Sequence, residues 1–469
     1  MIPILLLAAS AAHAADWPQF RGPNASGVSA DKGLPVEFGP TKNVVWKTPL
    51  PPGHSSPILQ GKQIFVTANE GPKLLTISLD RKTGRELWRR EAPRPRVEEN
   101  QKTNSFASPS PATDGKFVFS FFGDFGLIAY DFDGGEKWRV PLGPFNNING
   151  HGSSPIVADG IVLLVCDQDS DSYLLAVDAA TGKERWRTPR PEVIRGYTTP
   201  GIYRPKSGPT EVIVPGSFVN VSYNLHTGEK LWWVTGMAWQ LKSAAVVNNG
   251  IIYISGWESG GDTPHSTDLP DWPTALARAD ANKDGRLSEA ETTEPFRLKT
   301  RGYFEADLNK DGSLDENEWR YLIARRTSTN SVVAIRPGGR GDVTDTHVLF
   351  RYRKSVPNIP TPLIYNNVMF LAKEGGIFTS VDLKSGEILK QARLTGALDQ
   401  YWASPVGADG KVYTINQACK VSVIKAEAQW EILAVNDLDD ECFATPAIAN
   451  GRLYIRTRTG LYAFATPAK

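Results

Sequence analysis

Two twelve-residue stretches carry the densest chemistry in the chain, DANKDGRLSEAE at 280–291 and DLNKDGSLDENE at 307–318. Each matches the pattern D-x-[DN]-x-[DN]-G-x5-E, in which alternate residues of a tight loop point oxygens at a common centre. That is what a hard cation needs: Ca2+ takes six to eight oxygens and no nitrogen or sulfur. In the first loop the ligands are Asp280, Asn282, Asp284, the Arg286 carbonyl, Ser288 (through water if not directly) and bidentate Glu291. In the second they are Asp307, Asn309, Asp311, the Ser313 carbonyl, Asp315 and Glu318. Gly285 and Gly312 make the sharp bend at the sixth position, and Leu287 and Leu314 at the eighth can couple the loops. Two complete matches in tandem predict two calcium sites.

The loops interrupt a periodic sequence. Four segments share one hairpin signature: Leu79-Asp80 to Trp88, Tyr130-Asp131 to Trp138, Val177-Asp178 to Trp186 and Tyr223-Asn224 to Trp232, each with Thr-Gly or Gly-Gly between. Their Trp residues lie 50, 48 and 46 positions apart. A weaker copy at Val381-Asp382 has Lys390 in place of Trp. Asp or Asn accepts local N–H groups, Gly supplies positive φ, and the Trp is placed to wedge against the next unit. Before each hairpin comes a small-small-Pro start: Ser55-Ser56-Pro57, Ala107-Ser108-Pro109, Ser153-Ser154-Pro155, Thr198-Thr199-Pro200, Pro360-Thr361-Pro362, Ala403-Ser404-Pro405 and Ala444-Thr445-Pro446. Ser243-Ala244-Ala245 fills the slot in the remaining unit.

Eight starts predict an all-β, eight-bladed β-propeller of four-stranded antiparallel blades, with seven blades as the alternative count. The last unit stops after three strands, so a strand at 43–48, with Trp46, is expected to complete it and remove an open edge. The fifth unit breaks off near Trp257 and resumes at Ser331, which makes 262–328 an EF-hand pair inserted in blade 5. Trp272, Leu276, Phe296, Tyr303, Phe304, Trp319 and Leu322 supply its small core, and Pro295 keeps the inner helices short. Such an insert is expected to protrude from its blade.

Composition limits the partners. Lys and Arg number 52 against 51 Asp and Glu, a formal net charge of +1, which gives no electrostatic reason to expect nucleic acid. Residues 1–14 read as a signal peptide ending in Ala12-His13-Ala14, and no Cys follows to carry a lipid. No later run is long and apolar enough to span a bilayer, so a periplasmic or secreted chain of residues 15–469 is expected, as a monomer. Of the three thiols, Cys419 and Cys442 fall in successive units; pairing and burial as small hydrophobes are equally compatible with their positions.

Hairpins such as LLAVDAATGKERW resemble the repeats of quinoprotein (PQQ) dehydrogenases and of their non-catalytic relatives, including the scaffold propeller of the bacterial outer-membrane barrel-assembly machinery. Both DWPQFRGPNASGVS and SVVAIRPGGRGDVTDTHVLFRY resemble a bacterial branch of PQQ-like repeat proteins. A quinoprotein dehydrogenase would imply a quinone stacked on Trp under a disulfide of adjacent Cys, with Ca2+ on carboxylates and amides and an Asp base. No two Cys here are adjacent.

Residues three positions ahead of each Pro slot should ring one mouth of the central channel: His54, Phe106, Gly152, Tyr197, Lys242, Ile359, Trp402 and Phe443. The ring holds no carboxylate, although Asp399, Asp439, Asp440 and Glu441 lie nearby. His54, Tyr197, Lys242 and Trp402 are therefore candidates for holding a flat or anionic ligand, and no residue is assigned as catalytic. PQQ remains a cofactor alternative that these residues do not support. A non-catalytic binding or assembly scaffold for a protein or carbohydrate partner is the preferred expectation. The alternatives are an atypical PQQ-dependent dehydrogenase and another small-ligand enzyme at the channel mouth.

Overall fold

A computed structural model describes residues 16–259, 261–262, 267–298 and 300–467; the expected signal segment 1–14 lies outside them. Eight antiparallel sheets follow one another along the chain, each built from four strands that run outward from the central axis. Blade 1 comprises Ile58–Gln60, Gln63–Glu70, Lys73–Asp80 and Glu86–Ala92. In blade 8 the outermost strand is Val44–Pro49, paired with Gly460–Ala465, so the first strand of the repeat closes the last sheet. Blade 5 is made of Val246–Asn248, Ile251–Gly256, Ser331–Ile335 and Val348–Tyr352, and the insert connects its second and third strands.

The hairpin signature builds the contacts between blades. Asp178 Oδ1 accepts from the Ala180 and Thr181 N–H groups and the Thr181 hydroxyl, which fixes the turn. Gly182 then takes φ +71°, leaving a flat place on which Trp138 of the preceding blade lies, its indole donating to the Ala179 carbonyl at 2.9 Å. Trp46, Trp88 and Trp186 repeat this on Gly84, Gly134 and Gly228. Blade 6 substitutes a cation: Lys390 Nζ lies over the Trp430 ring and donates to its carbonyl. Trp232 departs from the pattern, because a long connection between Ile335 and Val348 replaces the short Asx-Thr-Gly turn in blade 5. Its indole donates to Glu211 within its own blade at 2.8 Å, and Gly341–Asp342 of the long blade 5 connection adds a parallel fifth strand at that edge.

Small-small-Pro starts form the inner ring. The Ser56 N–H donates to Ser110 Oγ, Ser110 to Ser154, and Ser154 to Thr199. After Ala244, which lacks a hydroxyl, the chain resumes from Ala244 N–H to Thr361, then Ser404, Thr445 and back to Ser56. Hydroxyl acceptors thus satisfy buried N–H groups across seven of the eight blade boundaries.

Residues ahead of the first blade seal the far end of the axis. Trp17 bridges to Leu59 of blade 1, Asn24 exchanges hydrogen bonds with Ile202 of blade 4, and Val28 bridges to Gly407 of blade 7. Arg21, fully buried, donates to the carbonyls of Ala25, Ser26, Thr361, Pro362 and Pro405. Burial without a carboxylate pulls its guanidinium down to about 9.

Cys419 and Cys442 form a disulfide, and Cys166 is a buried free thiol. No helix among the described residues is long and apolar enough to cross a membrane.

Candidate functional site

All connections into the inner strands, and all hairpins between second and third strands, gather on one face of the ring. They enclose a cavity of about 460 Å3 around the axis. Its deep wall is the hydroxyl ring, and Phe20 of the sealing segment also lines it, so it is a pocket open on one side only. His54, Gly152, Tyr197, Lys242, Ile359, Trp402 and Phe443 all line it. Phe106 does not: Pro109-Ser110-Pro111 offers two Pro slots, the inner strand follows the second, and Ser108 takes the ring position. Phe106 instead packs beneath Arg94, 4.5 Å from the guanidinium carbon.

Lys242 is the only Lys, Arg, Asp or Glu among the described lining residues. Its ammonium donates to Asn358 Oδ1 at 3.0 Å and lies 5.6 Å from the Trp257 ring. Burial pulls it down to about 8, so the charge survives at neutral pH. Among the described residues, the buried Trp257 indole N–H has no hydrogen-bond partner. His54 stacks on Phe443 at 4.0 Å, and burial, aided by Arg456 and Arg458, lowers its imidazole to about 4. It is a neutral ring at pH 7. Tyr197 accepts from Asn149 at 2.7 Å and donates to Asn147, and burial pushes its phenol up. Trp402 donates to Gln417 at 2.9 Å.

Nearby carboxylates turn to the loops. Asp399 accepts from the Ala418 N–H, Asp440 from Thr459, and Glu441 pairs with Arg458. Among the described residues, the lining therefore offers aromatic faces, amides and one cation, but no carboxylate to hold a calcium–quinone pair or act as a base. The pocket does not fit PQQ with its calcium.

The insert consists of α1 (Trp272–Ala279), α2 (Glu289–Phe296), α3 (Thr300–Phe304) and α4 (Glu316–Thr327). Its two loops have matching geometry. Asp280 accepts from the Asp284 and Gly285 N–H groups as Asp307 does from Asp311 and Gly312, with Gly285 and Gly312 at φ +77° and +86°. Leu287 pairs with Leu314 and Ser288 with Ser313 in a two-stranded bridge. Glu291 caps α2 by accepting from Ser288, and Glu318 caps α4 by accepting from Asp315. Asn282 and Asn309 each face the Asp two residues on. The Arg286 side chain crosses to the other loop, 2.6 Å from Asp311 and 3.0 Å from Ser313. The donor set is all oxygen, which suits a hard cation. Among the described residues, no three Asp, Glu, His or Cys groups are drawn together as a ligand cluster; the carboxylates cap the loops' own N–H groups.

The insert does not protrude freely. Leu308 packs with Ile194 and Trp239, its carbonyl accepts from Asn146 at 2.7 Å, and Tyr321 stacks on Phe218. It sits on the mouth face, over the loops of blades 3 and 4. Its core holds Phe296, Tyr303, Trp319 and Leu322, with Trp272 and Leu276 at the margin; Phe304 points outward, 57% exposed.

A family model described as outer membrane protein assembly factor BamB, of the PQQ-repeat type, matches residues 28–108 and 76–263. The chain belongs to this BamB-type PQQ-repeat family. An EF-hand family model matches residues 305–322, which contain the second loop. Among curated proteins none matches. BamB from Moraxella catarrhalis, a solved structure, is similar at 11% identity, with a TM-score of 0.55 over 90% of this chain and 99% of that one. A europium-containing methanol dehydrogenase is similar at 11% identity, TM-score 0.58, over 96% and 98%. The quinohemoprotein alcohol dehydrogenase from Comamonas testosteroni is similar at 12%, TM-score 0.57, over 98% and 82%. At these identities the likeness is one of fold. The same fold thus occurs in BamB and in alcohol-oxidising dehydrogenases, and the fold does not choose between such roles.

Proposed function

We propose that the chain is a non-catalytic binding or assembly scaffold, working outside the cytoplasm as a monomer after removal of residues 1–14, with two Ca2+ ions in its insert. The observation that carries this reading is the lining of the axial pocket: aromatic and amide side chains around Lys242, with no carboxylate among the described lining residues. Alcohol oxidation on a quinone needs a carboxylate base and carboxylate ligands for a cation there, and the described lining residues include neither. Recognition needs only what is present. His54, Tyr197 and Trp402 offer ring faces to a sugar or an aromatic side chain, and Lys242 offers a cation to a carboxylate.

The calcium reading rests on two complete oxygen-donor loops joined through Leu287 and Leu314. Bound there, the ions would stiffen an insert that already leans on blades 3 and 4. A dye-linked alcohol and sugar oxidation screen with PQQ and Ca2+ tests the non-catalytic reading. The expected result is no turnover and no stoichiometric quinone uptake. One quinone per chain with turnover would overturn it in favour of an atypical dehydrogenase.

A further inference from the structure

The exit helix of the second loop meets the pocket wall directly. α4 carries Glu318, the twelfth loop residue, near its start, and two turns later Arg325 lies 3.6 Å from the centre of a Trp239 ring. The same guanidinium is 2.7 Å from Glu305 and 3.7 Å from Glu258. Trp239 stands three residues before Lys242, and the intervening Leu241 carbonyl accepts the Tyr197 N–H at 2.9 Å. Glu258 follows Trp257, the ring beside the Lys242 ammonium, and one of its carboxylate oxygens is buried without a partner among the described residues. One arginine thus touches both chain segments that position Lys242, from a helix whose first turn holds a loop ligand.

We propose that cation uptake by the second loop is coupled to the axial pocket through α4, with Arg325 as the positioning residue. This rests on the calcium reading above. In EF-hand pairs that respond to calcium, loading swings the helix that follows the loop. Here α4 is not free to swing alone, because Arg325 holds Trp239 and Glu258 while Tyr321 holds Phe218. Loading of the loop therefore selects one placement of residues 239–242 and 257–258. By reciprocity, a ligand that fixes Lys242 in that placement tightens calcium binding by the same factor.

Amide hydrogen exchange on the full chain, in calcium and in chelator, tests this. Loop reporters are the Leu308 and Asp315 N–H groups, bonded to Glu318; pocket reporters are Tyr197, Phe218, Met237 and Glu258. Calcium should slow the loop reporters and also slow the pocket reporters by about tenfold, within the usual range of coupling. In Arg325→Met the loop response should persist while the pocket response disappears, and Arg325→Lys should restore part of it. Loop slowing in the native chain with unchanged pocket reporters overturns the coupling, as does a full pocket response in Arg325→Met. If calcium leaves the loop reporters unchanged, the calcium reading falls first.

Discussion

Replacing Gly182 by alanine isolates the contact that joins one blade to the next. Gly182 sits at φ +71°, and a Cβ there would stand 2.7 Å from Cδ2 of Trp138. Gly160, at φ +72°, has open space in the same direction and serves as the control. Both substitutions incur the left-handed backbone cost of an L-residue, about 1–2 kcal/mol. Only Gly182→Ala also pushes a methyl into an indole tied at 2.9 Å to Ala179; overpacking of that kind adds about 1–3 kcal/mol. The expected losses are about 1.5 kcal/mol for Gly160→Ala and about 3.5 kcal/mol for Gly182→Ala. Guanidinium denaturation followed by tryptophan fluorescence measures both. With Trp138→Ala in the background the ring is gone, so the excess at Gly182 should fall to near zero. Equal losses at the two glycines, or an excess that survives removal of Trp138, would refute the reasoning.

Two further outcomes follow from local geometry. The Arg286 guanidinium, 2.6 Å from Asp311, holds a positive charge where the second loop would take a divalent cation. Removing that repulsion by Arg286→Ala should tighten the second site several-fold in a terbium luminescence titration; unchanged affinity would contradict it. Burial lowers the His54 and His151 imidazoles to about 4, with Arg456 and Arg458 adding to the first and Arg96 to the second. The unfolded chain takes up these protons near pH 6.5, so stability is full above that value and is lost as pH falls towards 4. The loss is about 3 kcal/mol per imidazole. His151→Gln should flatten the decline in denaturation midpoint between neutral and acid pH, and an unchanged slope would rule that origin out.

Local signals were legible in the sequence because the structures they encode are local. An Asx-Thr-Gly turn with a Trp at fixed offset needs only its own hairpin, and a twelve-residue loop sets its own bend through Asp280 and Gly285 or Asp307 and Gly312. Eight small-small starts correspond to eight blades, and the strand with Trp46 closes the last of them. What escaped depends on distant contacts or on degeneracy. Pro109 and Pro111 both satisfied the slot pattern, and only pairing of Ala112 with Phe119 distinguishes them, which moved the ring position from Phe106 to Ser108. The seal of Phe20 and Arg21 unites residues 340 and 384 positions apart, through a guanidinium held by carbonyls that carry no sequence signal. Docking of the insert was equally hidden, since Arg325 and Trp239 look like ordinary surface residues until the ring brings them together. Phe304 reads as core by its type alone and points to solvent instead.

The central claim, a propeller scaffold carrying a calcium-loaded insert, is tested most directly by calorimetric titration of the purified protein with Ca2+. The native chain and the Asp284→Ala, Asp311→Ala double variant would be compared, with circular dichroism of both. The account predicts two ions per native chain, none in the variant, and an intact β-sheet signal in each. A native chain that takes up no calcium, or a variant that binds it as well as the native chain, would contradict it.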